Sequence, residues 1–311
     1  NIFSLSFYSM IKDVFKFNKK AKEFMIKPST KEMTIGDFIE GNNFSDAFKK
    51  NYLLPMAASI WSTPTSKILD YPAKNLISFF ENHGLLSIIN HHQWYSIRDG
   101  SISYIKKFID HPKNKDRNIS FLTSHKVNNT TIKNNIKDKI FVEGENLIDK
   151  TSFSIPVDDV FFASHSDQTS KIICPSNKAF KILNEIRYQK NTGFLHSDAS
   201  LMPKRKIMWS SWNYLSNQNN NLDMDNEKIS LTYWMNKLKK LKTNNNIFVS
   251  LNSEIPPMEK KTFKKLLYEH PVFDFKAINA RDRLEKLQGV DNLWFGGAWI
   301  GNGFHEDGFV S

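Results

Sequence analysis

The sequence predicts an α/β fold, on three observations. The first 90 residues carry helical periodicity. A short apolar strand, Asp159 to Ala163, runs through a polar turn into a helix, which is α/β grammar. Near the end, a buried strand, Asn292 to Ala298, opens into closely spaced glycines.

Along the chain, Phe3, Phe7, Met10, Ile11, Val14, Phe15 and Phe17 recur at three and four residues, giving one apolar helical face with lysines opposite. Thr34 with Asp37 marks a helix start and Gly41 its end. Ser45 caps a helix through Phe48 and Tyr52 that Pro55 is expected to kink or break, the apolar run continuing to Trp61. A further helix is expected from Pro72 to Phe80, ending near Gly84. Gln93 to Arg98 alternates like a strand, Gly100 turns the chain, and Ser101 to Ile109 reads as a helix. Strands are expected at Ile119 to Thr123, Ile140 to Val142, Arg187 to Leu195, Ile207 to Trp212, Ile229 to Met235 and Ile247 to Leu251. Asn217 to Asn226 and Thr243 to Asn246 read as polar loops, and Met258 to Tyr268 as a lysine-rich helix.

Composition narrows the function. The 311 residues are 40% hydrophobic and 24% charged, so wholesale disorder is excluded. A single cysteine, Cys174, excludes a disulfide scaffold or a Cys-rich metal site, and it is expected to be inert core. No run of 18 apolar residues occurs, so no membrane-spanning helix is expected. The net charge of +11 rests on 37 Lys and only 6 Arg, beside 32 Asn. Direct readers of nucleic acid favour Arg for its planar fork, so the charge points to a solvated Lys-rich surface and no nucleic-acid partner. Contact with anionic lipid stays open. The expected location is the cytoplasm, with or without that peripheral membrane contact. The sequence opens on Asn1 and closes at Ser311 in the first turn of a helix, which leads to the expectation of a chain cut at both ends.

Several residue groups invite chemistry. A strand that runs into Gly296, Gly297, Gly301, Gly303 and Gly308 around His305, Glu306 and Asp307 can cradle an anion or cofactor. Exposed N–H groups and the helix dipole point at the ligand, and glycine lets the backbone approach. His91 and His92 point to opposite faces of a strand and have no third partner, so no metal is expected. His165, Ser166 and Asp167 carry triad residue types side by side, but a triad is assembled in space. Ser166 and Asp167 read better as helix caps. No catalytic acid or base stands out.

Four blocks then carry a resemblance. Leu293 to Ser311 (LWFGGAWIGNGFHEDGFVS) closely resembles the C-terminal flavin motif of a bacterial FAD-dependent oxidoreductase family within the flavin amine oxidase and phytoene desaturase superfamily. Tyr52 to Pro64 (YLLPMAASIWSTP), Phe79 to Leu86 (FFENHGLL) with Gln93 and Trp94, and Ala163 to Gln168 (ASHSDQ) agree with it. Similar blocks occur in the flavin-like region of plant cyclopropane fatty acid synthases. The resemblance implies a Rossmann-like FAD-binding domain, truncated here, interrupted by a mixed α+β substrate domain. Residues 90–175 and 285–311 would belong to the first, 1–89 and 176–284 to the second. It further implies FAD contacts at Gly100, Val127, Gly296, Gly297, Gly303, His305, Glu306, Asp307 and Gly308, with Trp299 as a flat wall and Trp61 and Trp94 facing substrate. Asp99 stands where the family's usual first loop glycine would be.

The implied activity is hydride transfer from a hydrophobic substrate, fatty-acyl or isoprenoid, or from an amine, to FAD. The alternative is a non-catalytic flavin-like fold serving as a partner or lipid-surface module. The family's opening G-x-G-x-x-G unit does not occur in these residues. Truncation before Asn1 is therefore expected, with poor FAD binding. Strands near 119–123, 159–163 and 293–298 should then border an open groove lined by Val127, Trp299 and the turn from Phe304 to Gly308.

Overall fold

The computed structural model describes residues 4–26, 32–87, 93, 95–111, 118–133, 139–215 and 230–311. The helices in chain order are α1 (Leu5–Ile26), α2 (Ile35–Gly41), α3 (Asp46–Phe48), α4 (Leu54–Trp61), α5 (Thr65–Ile68), α6 (Ala73–Asn82), α7 (Ile102–Ile109), α8 (Ser166–Ile172), α9 (Lys178–Leu183), α10 (Met235–Lys239), α11 (Phe275–Glu285) and α12 (His305–Val310). The strands are β1 (His125–Lys133), β2 (Lys139–Asn146), β3 (Ser152–Val157), β4 (Val160–Phe162), β5 (Tyr188–His196), β6 (Trp212–Leu215), β7 (Ser230–Trp234), β8 (Phe248–Leu251), β9 (Thr262–Pro271) and β10 (Leu293–Phe295). The chain is thus a mixed α/β protein. It divides into two compact units, residues 1–100 with 189–270 and residues 101–188 with 271–311. These divisions differ from the boundaries after 89, 175 and 284 that the resemblance implies.

Unit 1 opens with six helices around an aromatic core. On α1 the buried face is Asp13, Val14, Phe17, Ala21 and Phe24, while Phe15 stands 58% exposed. The expected stripe was therefore rotated. Spacing of three and four fits both faces, and only the partner helices select one. The ring of Phe17 lies 5.9 Å from that of Phe38, 5.9 Å from Phe44, 5.5 Å from Phe48 and 6.3 Å from Phe80. Much of the Phe richness of this region is therefore packed core. At the start of α2 the Thr34 hydroxyl accepts from the Asp37 N–H, and Asp37 accepts from the Thr34 N–H, a reciprocal cap. The Ser45 hydroxyl caps α3 by accepting from the Phe48 N–H.

Pro55 does not break its helix. Between α3 and α4, Lys49–Leu53 forms a π-turn, and Pro55 sits in the first turn of α4. A proline lacks the N–H for the preceding turn and its ring crowds the carbonyl four residues back. The wider turn accommodates both, so the helix continues to Trp61.

Unit 1 closes with a five-stranded sheet in the order β6-β7-β8-β5-β9. β6, β7, β8 and β5 pair antiparallel in turn, with Trp212 opposite Tyr233, Leu231 opposite Leu251 and Gly193 opposite Leu251. Met258 to Tyr268 is not a helix: after a short 3-10 turn it becomes the edge strand β9. Lys264 and Lys265 face solvent there, and exposed lysines suit an open edge as well as a helix surface. Ile207 belongs to a 3-10 turn, not a strand. The described residues of 93–98 form no strand. Trp94, His91, His92 and the expected loop 217–226 lie outside the described residues.

Unit 2 holds an antiparallel sheet, β1-β2-β3, and a parallel pair, β4 with β10, in which Val160 faces Leu293 and Phe162 faces Phe295. Helices α8, α9 and α11 pack around Ile140, Phe162, Ile173, Leu183, Ala280, Leu284, Phe295 and Trp299. Ile119 to Thr123, the third expected sheet strand, is an exposed non-strand segment. Its short apolar run lacks any paired neighbour, which a strand requires.

Candidate functional site

The glycine-rich turn of unit 2 follows directly from β10. Gly296 donates its N–H to the Phe162 carbonyl at 2.9 Å, extending the ladder to β4 by one residue. Gly297 then takes φ +135°, a conformation glycine alone adopts easily, and donates to the Ser311 hydroxyl at 2.8 Å. Trp299 follows in a 3-10 turn, 2% exposed, with its Nε1–H on the Ser164 carbonyl at 3.0 Å. Gly303, at φ +91°, leads into α12. Asp307 accepts from the Phe304 N–H at 2.9 Å and so fixes the start of that helix. Arg281 on α11 clamps the turn from outside, donating to the Ile300 carbonyl at 2.9 Å and to the Gly301 carbonyl. Burial lowers the Arg281 pKa, while Asp282 and Asp307 oppose that shift. The Tyr104 hydroxyl lies 2.9 Å from Nε2 of His305.

Sequence reasoning missed Arg281, Tyr104 and Ser164. They lie far from the turn in sequence, and no local spacing announces them. The N–H groups of His305 and Glu306 open α12, where the first turn of a helix leaves N–H groups without an intrahelical partner.

The cradle does not fit a flavin as it stands. A Cβ at Gly296 would collide with the Phe161 ring, and one at Gly301 with Asp307. At Gly297 it would lie 2.8 Å from the Trp299 indole nitrogen. The space that glycine leaves is filled by this chain's own side chains. Trp299 is buried, so among the described residues it lines no open groove, contrary to expectation. Val127 lies in β1 opposite Gly144, beside a bulge, and no hydrogen bond links it to the turn among the described residues. Gly308 sits within α12, its N–H on the Phe304 carbonyl. Gly100 and Trp61 belong to unit 1. Gly100 turns the chain at φ +80°, after Asp99 at φ +62°. Trp61 is 8% exposed and packs on Tyr71 and Phe79.

Other expectations are corrected. Cys174 is exposed, and a hydrogen bond to the Ser176 hydroxyl lowers its thiol pKa. Neither Ser166 nor Asp167 caps α8, whose capping residue is His165 without a side-chain bond. Ser166 bonds the Tyr188 hydroxyl instead, and the His165 ring stacks on Tyr188. No group of three metal-binding side chains occurs among the described residues.

A second constellation lies in the unit 1 sheet. Nε2 of His196 is 2.8 Å from the Ser250 hydroxyl, which is 2.6 Å from that of Thr232, and all three are buried. Nδ1 of His196 accepts the Asp198 N–H at 3.1 Å, so the proton sits on Nε2 and points at Ser250. That tautomer cannot take the serine proton, and no carboxylate orients the ring. The trio holds strands β5, β8 and β7 together and is no nucleophile. Burial would raise the Asp198 pKa, but N–H groups of Met258 and Ser200, the Ser200 hydroxyl and Lys261 together hold it down at about 2.

No family model matches the chain, and no curated protein matches it. Among solved structures, it resembles a CLA-producing fatty acid isomerase from P. acnes, with 10% identity and a TM-score of 0.56. The likeness is one of fold. It covers 88% of this chain, which spans 63% of the length of the isomerase chain. No described helix is long and apolar enough to cross a membrane.

Proposed function

We propose that this chain belongs to an FAD-dependent oxidoreductase acting on a long-chain fatty-acyl substrate. In that reading these residues supply its substrate unit and the closing turn of its flavin site, not a complete flavin site. The observation that carries the reading is the fold likeness to a fatty acid isomerase over 88% of the chain. It favours an acyl substrate over an amine. The glycine turn after a parallel strand supports the flavin side only as a sequence resemblance, since Phe161, Trp299 and Asp307 fill its cradle here. The FAD supplies a hydride acceptor when bound. The closed turn supports the competing reading, a non-catalytic flavin-like fold.

The protein expressed from the whole of its reading frame should carry flavin absorbance or take up added FAD. Unsaturated fatty acids should bleach that absorbance under anaerobic conditions. A colourless protein that takes up no FAD would refute the enzyme reading in favour of the non-catalytic one. Bleaching by amines alone would refute the acyl substrate.

A further inference from the structure

One corner of unit 1 joins two segments without a single acid. Neither 199–215 nor 230–253 contains Asp or Glu. The first carries Lys204, Arg205 and Lys206, all exposed, and then the tip of a 3-10 turn, where Ile207 is 90% and Met208 64% exposed. The second carries Lys237, Lys239, Lys240 and Lys242 around Leu241, which is 40% exposed.

Side-chain and backbone contacts bring the two segments side by side. The Trp209 ring stands edge-on to Trp234 at 5.3 Å and to Phe248 at 5.7 Å, with its Nε1–H on the Pro203 carbonyl. Lys237 reaches the Trp209 carbonyl at 3.5 Å, and the Trp234 N–H donates to Ser211. The tip is therefore mounted on a rigid aromatic base. Trp212, 43% exposed, flanks it.

We propose that this corner docks on an anionic lipid bilayer, with Ile207 and Met208 entering the acyl region and the surrounding cations meeting lipid phosphates. Protruding aliphatic side chains ringed by lysines match an interface that is apolar within and negative at its surface. Nucleic acid is the poorer match. A single-strand binder offers flat faces for base stacking, whereas this tip is aliphatic and Trp209 is consumed in packing. The cations are six Lys and one Arg, which suits point attraction to phosphate more than a planar fork. The proposal stands without the flavin reading.

The test is co-sedimentation with phosphatidylcholine vesicles containing phosphatidylserine, against phosphatidylcholine alone and against generic DNA. The protein should bind the anionic vesicles, and salt should weaken that binding. Neutralising charge in Lys204→Gln/Arg205→Gln/Lys206→Gln should cut partitioning on the order of a hundredfold. Ile207→Asp/Met208→Asp should cut it by about tenfold or more. Lys50→Glu, on the helical side of the unit, should change it by less than about twofold. Lipids brominated on the acyl chain should quench tryptophan emission, less so in Trp212→Phe, a readout that needs no folding-sensitive variant. No binding to anionic vesicles, binding indifferent to Ile207 and Met208, or tighter binding to DNA would overturn the proposal.

Discussion

Replacing Ser250 with Ala tests whether the His196–Ser250–Thr232 chain is a structural tie. The Ser250 oxygen accepts from His196 at 2.8 Å and bonds Thr232 at 2.6 Å, and Ser250 is 0% exposed. Its removal leaves an imidazole N–H and a threonine hydroxyl buried without those partners. Each of the two orphaned groups costs about 1–3 kcal/mol, so Ser250→Ala should destabilise by about 2–6 kcal/mol. Thr232→Val removes one end only and keeps the shape, so it should cost about 1–2 kcal/mol. Urea unfolding followed by tryptophan fluorescence reads this, since Trp209 and Trp234 pack at the same sheet. A pH series adds a second arm. Burial lowers the His196 pKa, with Asp198 opposing, from an ordinary value of 6.5. The unfolded state therefore takes up a proton first as pH falls. The contribution is complete above 6.5 and is lost below it, down to the folded pKa. A Ser250→Ala cost no larger than that of Thr232→Val, or stability that rises as pH falls through that window, would refute the structural role.

Other consequences are as direct. Phe17→Ala should lower stability by about 3–5 kcal/mol in the same assay, because Phe17 is 1% exposed among four aromatic rings. Gly297→Ala forces a side chain into φ +135° against Trp299 and should lower the melting temperature, at a cost of about 1–3 kcal/mol. Gly41→Ala, at the end of α2 with nothing within 4 Å of the new methyl, should raise it, adding about 0.4–1 kcal/mol of stability. Ellman's reagent should titrate one thiol in the native protein, since Cys174 is exposed and its pKa is lowered.

What could be read from the sequence was what local rules decide. Thr34, Ser45 and the Gly84 end of α6 are settled within a few residues, and they stand as expected. The strand leading into Ala163 and the one leading into Gly296 pair with each other, as two apolar runs ending in turns suggest. Long-range choices were not legible. Nothing in Lys264-Lys265-Leu266-Leu267 distinguishes a helix surface from an edge strand until β5 is beside it. The 3.6 period of α1 fits two stripes, and the surrounding Phe rings choose one. At the candidate site the glycines were visible, whereas Phe161, Asp307 and Arg281 occupy or brace the turn through contacts that spacing does not encode.

The π-turn at Lys49–Leu53 makes residue count, as well as residue type, part of the specification of this helix. One surplus residue in a turn shifts everything after it by about 100° around the axis. Leu54, Ala57, Ala58 and Trp61 face the core only because that surplus is present. Deleting any one of the five residues would make the helical hydrogen bonding more regular and would still turn the Trp61 side away from Tyr71 and Phe79. For this stretch, a one-residue deletion is therefore a harsher change than many substitutions, and homologous chains should keep its length more faithfully than its letters.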